Sequence, residues 1–396
     1  MRTEGDLITI NKKLLPLSWL YGIGVGFRNM LFEMGILKSR TYSIPVISVG
    51  NITVGGTGKT PHVEYLIRLF KDQMSVAVLS RGYKRKSRGF VVAASDTPMR
   101  DIGDEPYQMK QKFPDVTIAV DKKRTRGIGR LINGAAGKDI DVILLDDAFQ
   151  HRYVKPGINI LLVDYHRLIV YDTLLPAGRL REPVASKDRA DIVIVTKCPK
   201  DLKPMEQRVI TKAMSLYPYQ QLYFSTHEYE VPLPVFPDSE SVESVDSLDS
   251  LADYHVLLLT GIASPEQMAQ DLKPRIPHLS QLTFSDHHHF KRKDIARINE
   301  TFAALPSPKV IITTEKDASR LKTAEGLSDE VRRGLYVLPI HISLMQGQAG
   351  DFEKNIIGYV RKNSKNSIQA KGKDSQRSKD SSHDGDRPRT ISFRNS

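Results

Sequence analysis

From Ile44 to Phe70 the chain passes from an apolar, β-branched run (Ile44, Val46, Ile47, Val49) through a glycine-rich turn (Gly55, Gly56, Gly58) to Lys59-Thr60 and a helical pattern. Val63, Leu66, Ile67 and Phe70 fall at i, i+3, i+4 and i+7, one apolar helix face, and Pro61 sits in the tolerant first turn. A buried strand, a glycine turn and a helix N-terminus aim backbone N–H groups and the positive end of a helix dipole at one point, which suits phosphate. The expectation is a nucleotide cradle of Thr53, Val54, Gly55, Gly56, Thr57, Gly58, Lys59 and Thr60. Lys59 would reach the outer phosphates and the Thr60 hydroxyl would ligate Mg²⁺. The chain departs from G-x-x-x-x-G-K-S/T at its first glycine, where Thr53 stands. It departs from partition-type ATPases at Val54, where they carry an extra lysine.

Strand-like and helical runs alternate from Ser43 to about Cys198, with strands at Val76–Leu79, Val116–Val120, Asp141–Leu145, Ile158–Val163 and Asp191–Val195. Continuous rather than alternating apolar strands imply a parallel sheet covered on both faces. Tyr223–Val231 and Gly334–Leu344 read as extended, and between them lie two more buried-type strands, His255–Leu259 and Val310–Thr314. The predicted fold is α/β: a P-loop NTPase-like parallel sheet core with a second, smaller α/β domain on a two-stranded connector. The predicted divisions are 1–37, an N-terminal membrane-associating helix; 38–222, the P-loop core; 223–360, the smaller C-terminal domain with connector strands; and 361–396, a disordered basic tail.

A formal charge of +12 over 396 residues raises nucleic acid or an anionic membrane as partners. Its distribution argues against the first. Ten Lys and Arg against four Asp put half of that charge in 361–396, a polar stretch nearly free of apolar residues. Glu228–Asp253 pulls the other way, with eight acidic residues and no Lys or Arg. A single cysteine, Cys198, rules out an internal disulfide and suits a reducing cytosol. Leu14–Phe27 is an uncharged run of fourteen residues between Lys12-Lys13 and Arg28, short for a bilayer span. With Trp19 and Tyr21 it suits a helix in a membrane interface or, equally on these residues, one buried against the core.

Asp146-Asp147 ends an apolar strand, where a carboxylate can hold Mg²⁺. Arg81, Lys84, Arg85, Lys86 and Arg88 crowd one loop and could neutralise phosphates. Asp104, in Gly103-Asp104-Glu105-Pro106, reads by itself as a helix cap. His287-His288-His289 cannot all face one ion on a regular element, so acid–base or phosphate contacts suit one of them better than a metal.

Taken in order, SVGNITVGGTGKTP, LSRGYKRKSRG, GDEP, LLDDAFQH, LLPAGRLREP, FSDHHHF and TTEKDASRL resemble the tetraacyldisaccharide 4'-kinase family, over about residues 10–360. The resemblance implies ATP-dependent phosphorylation of the 4'-hydroxyl of a tetraacyldisaccharide 1-phosphate, giving lipid IVA, at the cytoplasmic face of the bacterial inner membrane. It implies ATP and Mg²⁺, a lipid disaccharide substrate in the membrane, peripheral association through the N-terminal helix and no nucleic acid; a monomer is the expectation. It implies a catalytic role for Lys59, Asp104 as base with His287 as its dyad partner, and Asp146 and Asp147 on the Mg²⁺ side. His288 stands as the alternative to His287. The rival readings are a regulatory P-loop NTPase, which the missing lysine at Val54 opposes, and a basic RNA-binding protein, which rests on charge alone.

Overall fold

The computed structural model describes residues 8, 10–237, 245–262, 265–286 and 288–380, with backbone alone beyond 364. Its strands are β1 (Val46–Gly50), β2 (Val76–Ser80), β3 (Val91–Val92), β4 (Thr117–Val120), β5 (Val142–Asp146), β6 (Ile158–Asp164), β7 (Ile192–Thr196), β8 (Gln221–Tyr229), β9 (Leu233–Pro234), β10 (His255–Thr260), β11 (Leu279–Thr283), β12 (Lys309–Thr313), β13 (Leu335–Val337) and β14 (Ile340–Leu344). Nine form one sheet in the order β14-β8-β7-β6-β1-β5-β2-β4-β3, parallel except for β3 and β14 at its two edges. β1, β2, β5 and β7 are buried at every position, which is why they read as continuous apolar runs. The helix Lys59–Phe70 covers one face with Val63, Leu66, Ile67 and Phe70. Ile128 and Leu131 of the helix Arg124–Ile132, and Ile210 and Met214 of Pro204–Met214, join the other cores around the sheet.

The order places the chemistry. β1 lies between β5 and β6, and the chain leaves it for β2 beyond β5, so the sheet reverses direction there. Val49 pairs with Asp146, so the glycine loop after β1 and Asp146-Asp147 after β5 open side by side at the carboxyl ends of the strands.

The second sheet has the order β11-β10-β12-β13-β9. The two connecting strands, β8 and β14, pair antiparallel from Ile340↔Tyr229 to Leu344↔Ser225. β8 also pairs with β7, so the connector is the edge of the large sheet. β3, β9 and β11 are not foreseen by the sequence reading. In β11 only Leu282 is buried, so this edge strand shows no apolar run. The helix Ala349–Asp380 returns Phe352, Ile356 and Val360 to the first core and carries its backbone past 361, where composition predicts no fold. The first proline after Pro339 is Pro388, and Lys, Gln, Arg and Ala are good helix formers, so polarity alone does not oppose a helix there. Residues 381–396 lie outside the described residues.

Near the N-terminus the helix Leu15–Glu33 lies on the segment 174–181. Ser18 Oγ donates to the Leu174 carbonyl at 2.9 Å and accepts from the Ala177 N–H at 2.9 Å. Leu17, Trp19, Leu20, Ile23, Phe27 and Met30 of this helix are exposed while Phe32 is buried, and no helix among the described residues is long and apolar enough to cross a membrane.

Candidate active site

Gly58 caps the helix Lys59–Phe70 from the left-handed region, φ +79°, which favours glycine. Beneath it His62 donates from Nδ1 to the Gly58 carbonyl at 2.7 Å and accepts at Nε2 from Ser225 Oγ of β8 at 3.0 Å. Burial pulls the His62 pKa down to about 4, so the ring is neutral, as those partners require.

Side chains brace the loop where the usual pattern has a glycine. Asn51 Nδ2 donates to Thr57 Oγ1 at 2.8 Å and to Thr53 Oγ1 at 3.3 Å, and Gln150 donates to the Asn51 carbonyl at 2.5 Å. Thr53 is buried in this brace and bridges to Leu180, while the Val54 N–H donates to the Arg179 carbonyl at 2.8 Å. Of the eight predicted cradle residues, Val54 to Thr60 line the cavity and Thr53 does not.

Lys59 Nζ stands 3.7 Å from Asp147 Oδ1, and Arg181 3.6 Å from Asp147 Oδ2. Asp147 takes a strained φ of +47°, turning back from the end of β5. Burial opposes its charged form, but Lys59, Arg181 and Arg124 outweigh burial and hold its carboxyl below the usual range. Asp146 goes the opposite way. It is fully buried, one oxygen accepts from Ser80 Oγ at 3.0 Å, and its Oδ1 has no donor. Burial, then Glu105 and Asp147, push it up to about 7. Two adjacent carboxylates thus differ in their affinity for protons, because nearby cations outweigh burial at Asp147 but not at Asp146.

Asp104 opens the helix Asp104–Lys112 directly after Gly103. Oδ2 accepts from Arg320 at 2.5 Å and 3.2 Å, and Arg320, itself buried, also reaches Asp317 Oδ1 at 3.1 Å. Its carboxylate thus reaches across to the helix Glu315–Leu321, a contact the cap reading of Asp104 does not include. His287 lies outside the described residues. Its neighbour His288 is engaged elsewhere: Nε2 stands 2.9 Å from Asp294 Oδ2, and the ring stacks on Phe284. Asp286 lies 3.7 Å from Lys316. Among the described residues no three His, Cys, Asp or Glu gather as a metal site. Of the basic loop only Arg81 lines the cavity; Arg85 turns inward onto the carbonyls of Gly89 and Val120.

A cavity of about 740 Å³ opens at the glycine loop, and Asp104, Asp146 and Arg320 do not line it. It runs from the glycine loop, Asp147 and Arg181 to Glu315 and Lys316, and on to Tyr21, Val25 and Arg28 of the N-terminal helix. Glu105, Gln108, Arg181 and Arg320 escape sequence reasoning. The LREP and TTEKDASRL motifs contain two of them, yet no local spacing rule selects those positions.

The sequence profile of LpxK, tetraacyldisaccharide-1-P 4'-kinase, matches residues 10–360. The tetraacyldisaccharide 4'-kinase of Phocaeicola vulgatus is 58% identical over 365 residues, covering 92% of this chain and 99% of that protein. Its counterpart from Bacteroides thetaiotaomicron is 53% identical over 369 residues, 92% of this chain and 97% of that protein. Among solved structures, LpxK from Aquifex aeolicus in complex with ATP is similar at a TM-score of 0.66 and 29% identity, covering 88% of this chain and 99% of that one.

Proposed function

The chain belongs to the tetraacyldisaccharide 4'-kinase family, and from that premise we propose which of its residues perform the reaction and where. The activity is the kinase step of lipid A biosynthesis, moving a phosphoryl group to the 4'-hydroxyl of a tetraacyldisaccharide 1-phosphate. ATP is the donor, as the bound nucleotide of the Aquifex aeolicus enzyme supports.

The loop amides from Gly55 to Thr60 and the Lys59 ammonium hold the outer phosphates, with Arg81 and Arg181 adding positive charge to the same cavity. The residues present fit Mg²⁺. Asp146 Oδ1 is a buried carboxylate oxygen without a donor, Asp147 lies beside it, and Thr60 stands in the first turn of the helix Lys59–Phe70. Such an ion takes its remaining ligands from phosphates and water, so it needs no third acidic residue. When bound, it supplies charge that offsets the negative phosphates. Asp104 accepts the proton of the 4'-hydroxyl, a contribution of about 10²–10⁴ in rate. Arg320 holds that carboxylate in place, and His287 is its partner; His288, committed to Asp294, is not.

The observation that carries this reading is the shared cavity, in which the phosphate loop and the outward-apolar N-terminal helix line one space. A substrate whose four chains stay in a bilayer can offer its sugar there without leaving the membrane. The enzyme thus binds peripherally at the cytoplasmic face of the inner membrane, where ATP is available, with residues 38–222 holding nucleotide and 223–360 closing on the acceptor. The test is transfer of label from γ-labelled ATP to a lipid A disaccharide precursor in mixed micelles, followed by thin-layer separation. Label appearing only as inorganic phosphate would overturn the proposed chemistry.

A further inference from the structure

The helix Asp104–Lys112 is gripped at both ends. Its last residue, Lys112, donates to Glu64 Oε2 at 2.7 Å and to Glu315 Oε1 at 2.6 Å, and Gln108, one turn earlier, donates to Glu64 Oε1 at 3.0 Å. Glu64 belongs to the helix that Lys59 opens, and its side chain is 3% exposed. Glu315 opens the helix Glu315–Leu321, the same helix whose Arg320 holds Asp104. One short helix therefore binds the phosphate-loop helix on one side and the smaller sheet's helix on the other.

Glu64 occupies a buried position between Val63 and the apolar pair Leu66 and Ile67, where an aliphatic residue would pack at no cost in charge. A buried carboxylate with both oxygens occupied contributes little net stability, and its attested use is to specify one arrangement over others. Lys112 serves two such carboxylates at once. Burial, then Glu315, push Glu64 up to about 7, as expected for two acids sharing one cation.

We propose that Lys112 is a positioning residue: by tying Glu64 to Glu315 it fixes the separation between Lys59 on the phosphate loop and the Asp104 carboxylate. The inference rests on Asp104 being the base. Without the ammonium, Glu64 and Glu315 repel, the helix Glu315–Leu321 loses its lower attachment, and Asp104 is left on a support that can swing. A displacement of about 1 Å at a reacting group can cost on the order of 10² in rate while leaving ligand affinity alone.

The test uses the full chain in lipid micelles, with spin labels on cysteines introduced at the exposed Asp72 and Lys322, since the native Cys198 is buried. Lys112→Met should lower kcat about tenfold or more, hold the ATP Kd within about twofold and broaden the label-to-label distance distribution. Lys112→Arg, which can reach both carboxylates, should restore kcat to within about threefold of the parent. If Lys112→Met does not fold, the charge-free Glu64→Gln/Lys112→Met/Glu315→Gln chain carries the same expectation, because it leaves no unpaired buried charge. An unchanged distance distribution overturns the proposal whether or not kcat falls, and so does a broadened one with kcat within about twofold of the parent. Failure of the underlying reading is separate, since it would show as an active Asp104→Asn enzyme.

Discussion

Two helices border the same cavity and solve opposite problems. Lys59–Phe70 buries His62, Val63, Glu64, Leu66, Ile67 and Phe70, so its apolar stripe faces the sheet. Leu15–Glu33 buries Ser18, Asn29 and Phe32 and leaves Leu17, Leu20, Ile23, Phe27 and Met30 exposed. Polar contacts hold it to the body: Ser18 on the 174–177 turn, Tyr21 on the Arg181 carbonyl at 2.9 Å and Arg28 on the Gln150 carbonyl at 3.1 Å. Gly22 allows the approach, since a Cβ there would stand 2.8 Å from Leu174 Cδ1. Both helices have an apolar stripe, and in one of them it faces away from the protein. An exposed stripe of this size, flanked by Lys12, Lys13 and Arg28, matches a lipid interface.

The contrast is broken most severely at Lys59. Lys59→Ala should lower kcat/KM at least about a hundredfold, some ~2.7 kcal/mol of transition-state stabilisation. Steady-state kinetics with near-parental values would leave the phosphate-loop helix a scaffold only. Asp104→Asn should lower kcat on the order of 10² while the ATP Kd stays unchanged. Measuring both quantities separates a base from a residue that only anchors Arg320.

The N-terminal helix gives an effect of another kind. Leu20→Glu/Ile23→Glu removes apolar surface worth about 3–6 kcal/mol when buried in lipid, so flotation with anionic vesicles should fall tenfold or more. Melting should hardly change, because these side chains are 66% and 69% exposed. A large drop in melting temperature would mean that the stripe packs on protein instead.

Asp146 yields the smallest shift. Its folded pKa is raised from the ordinary carboxylate value to about 7, so the folded chain holds a proton that the unfolded chain releases. That stability is present in acid and is lost as pH climbs from about 4 to about 7. Asp146→Asn should therefore melt a few degrees above the parent at pH 8, by on the order of 1 kcal/mol, and differ less at pH 5. Calorimetry at the two values checks it, and equal gaps at both would contradict the assigned burial of a charge.

Much of this was legible before folding. The strand–glycine–Lys-Thr–helix succession is local, so β1, the loop and the helix Lys59–Phe70 follow from periodicity and turn chemistry. The buried strands show as continuous apolar runs for the same reason. Edge strand β11 was not legible, since only one of its residues is buried. The Asp104–Arg320 pair was not legible either: its partners are separated by most of the chain, and the nearest local rule, helix capping, says nothing of a distant partner.

The sequence by itself determined the glycine loop after β1, the acid pair at the end of β5, the α/β class and the existence of an apolar stripe near the N-terminus. Those properties depend on residues within a few turns of one another. Only the tertiary structure decided that the stripe faces outward, that Thr53 braces the loop instead of lining it, and that Asp104 reaches across to a second sheet's helix. Each of these depends on hydrogen bonds and buried charges between distant segments. Their partners become neighbours only once the strand order around β1 brings the loops together.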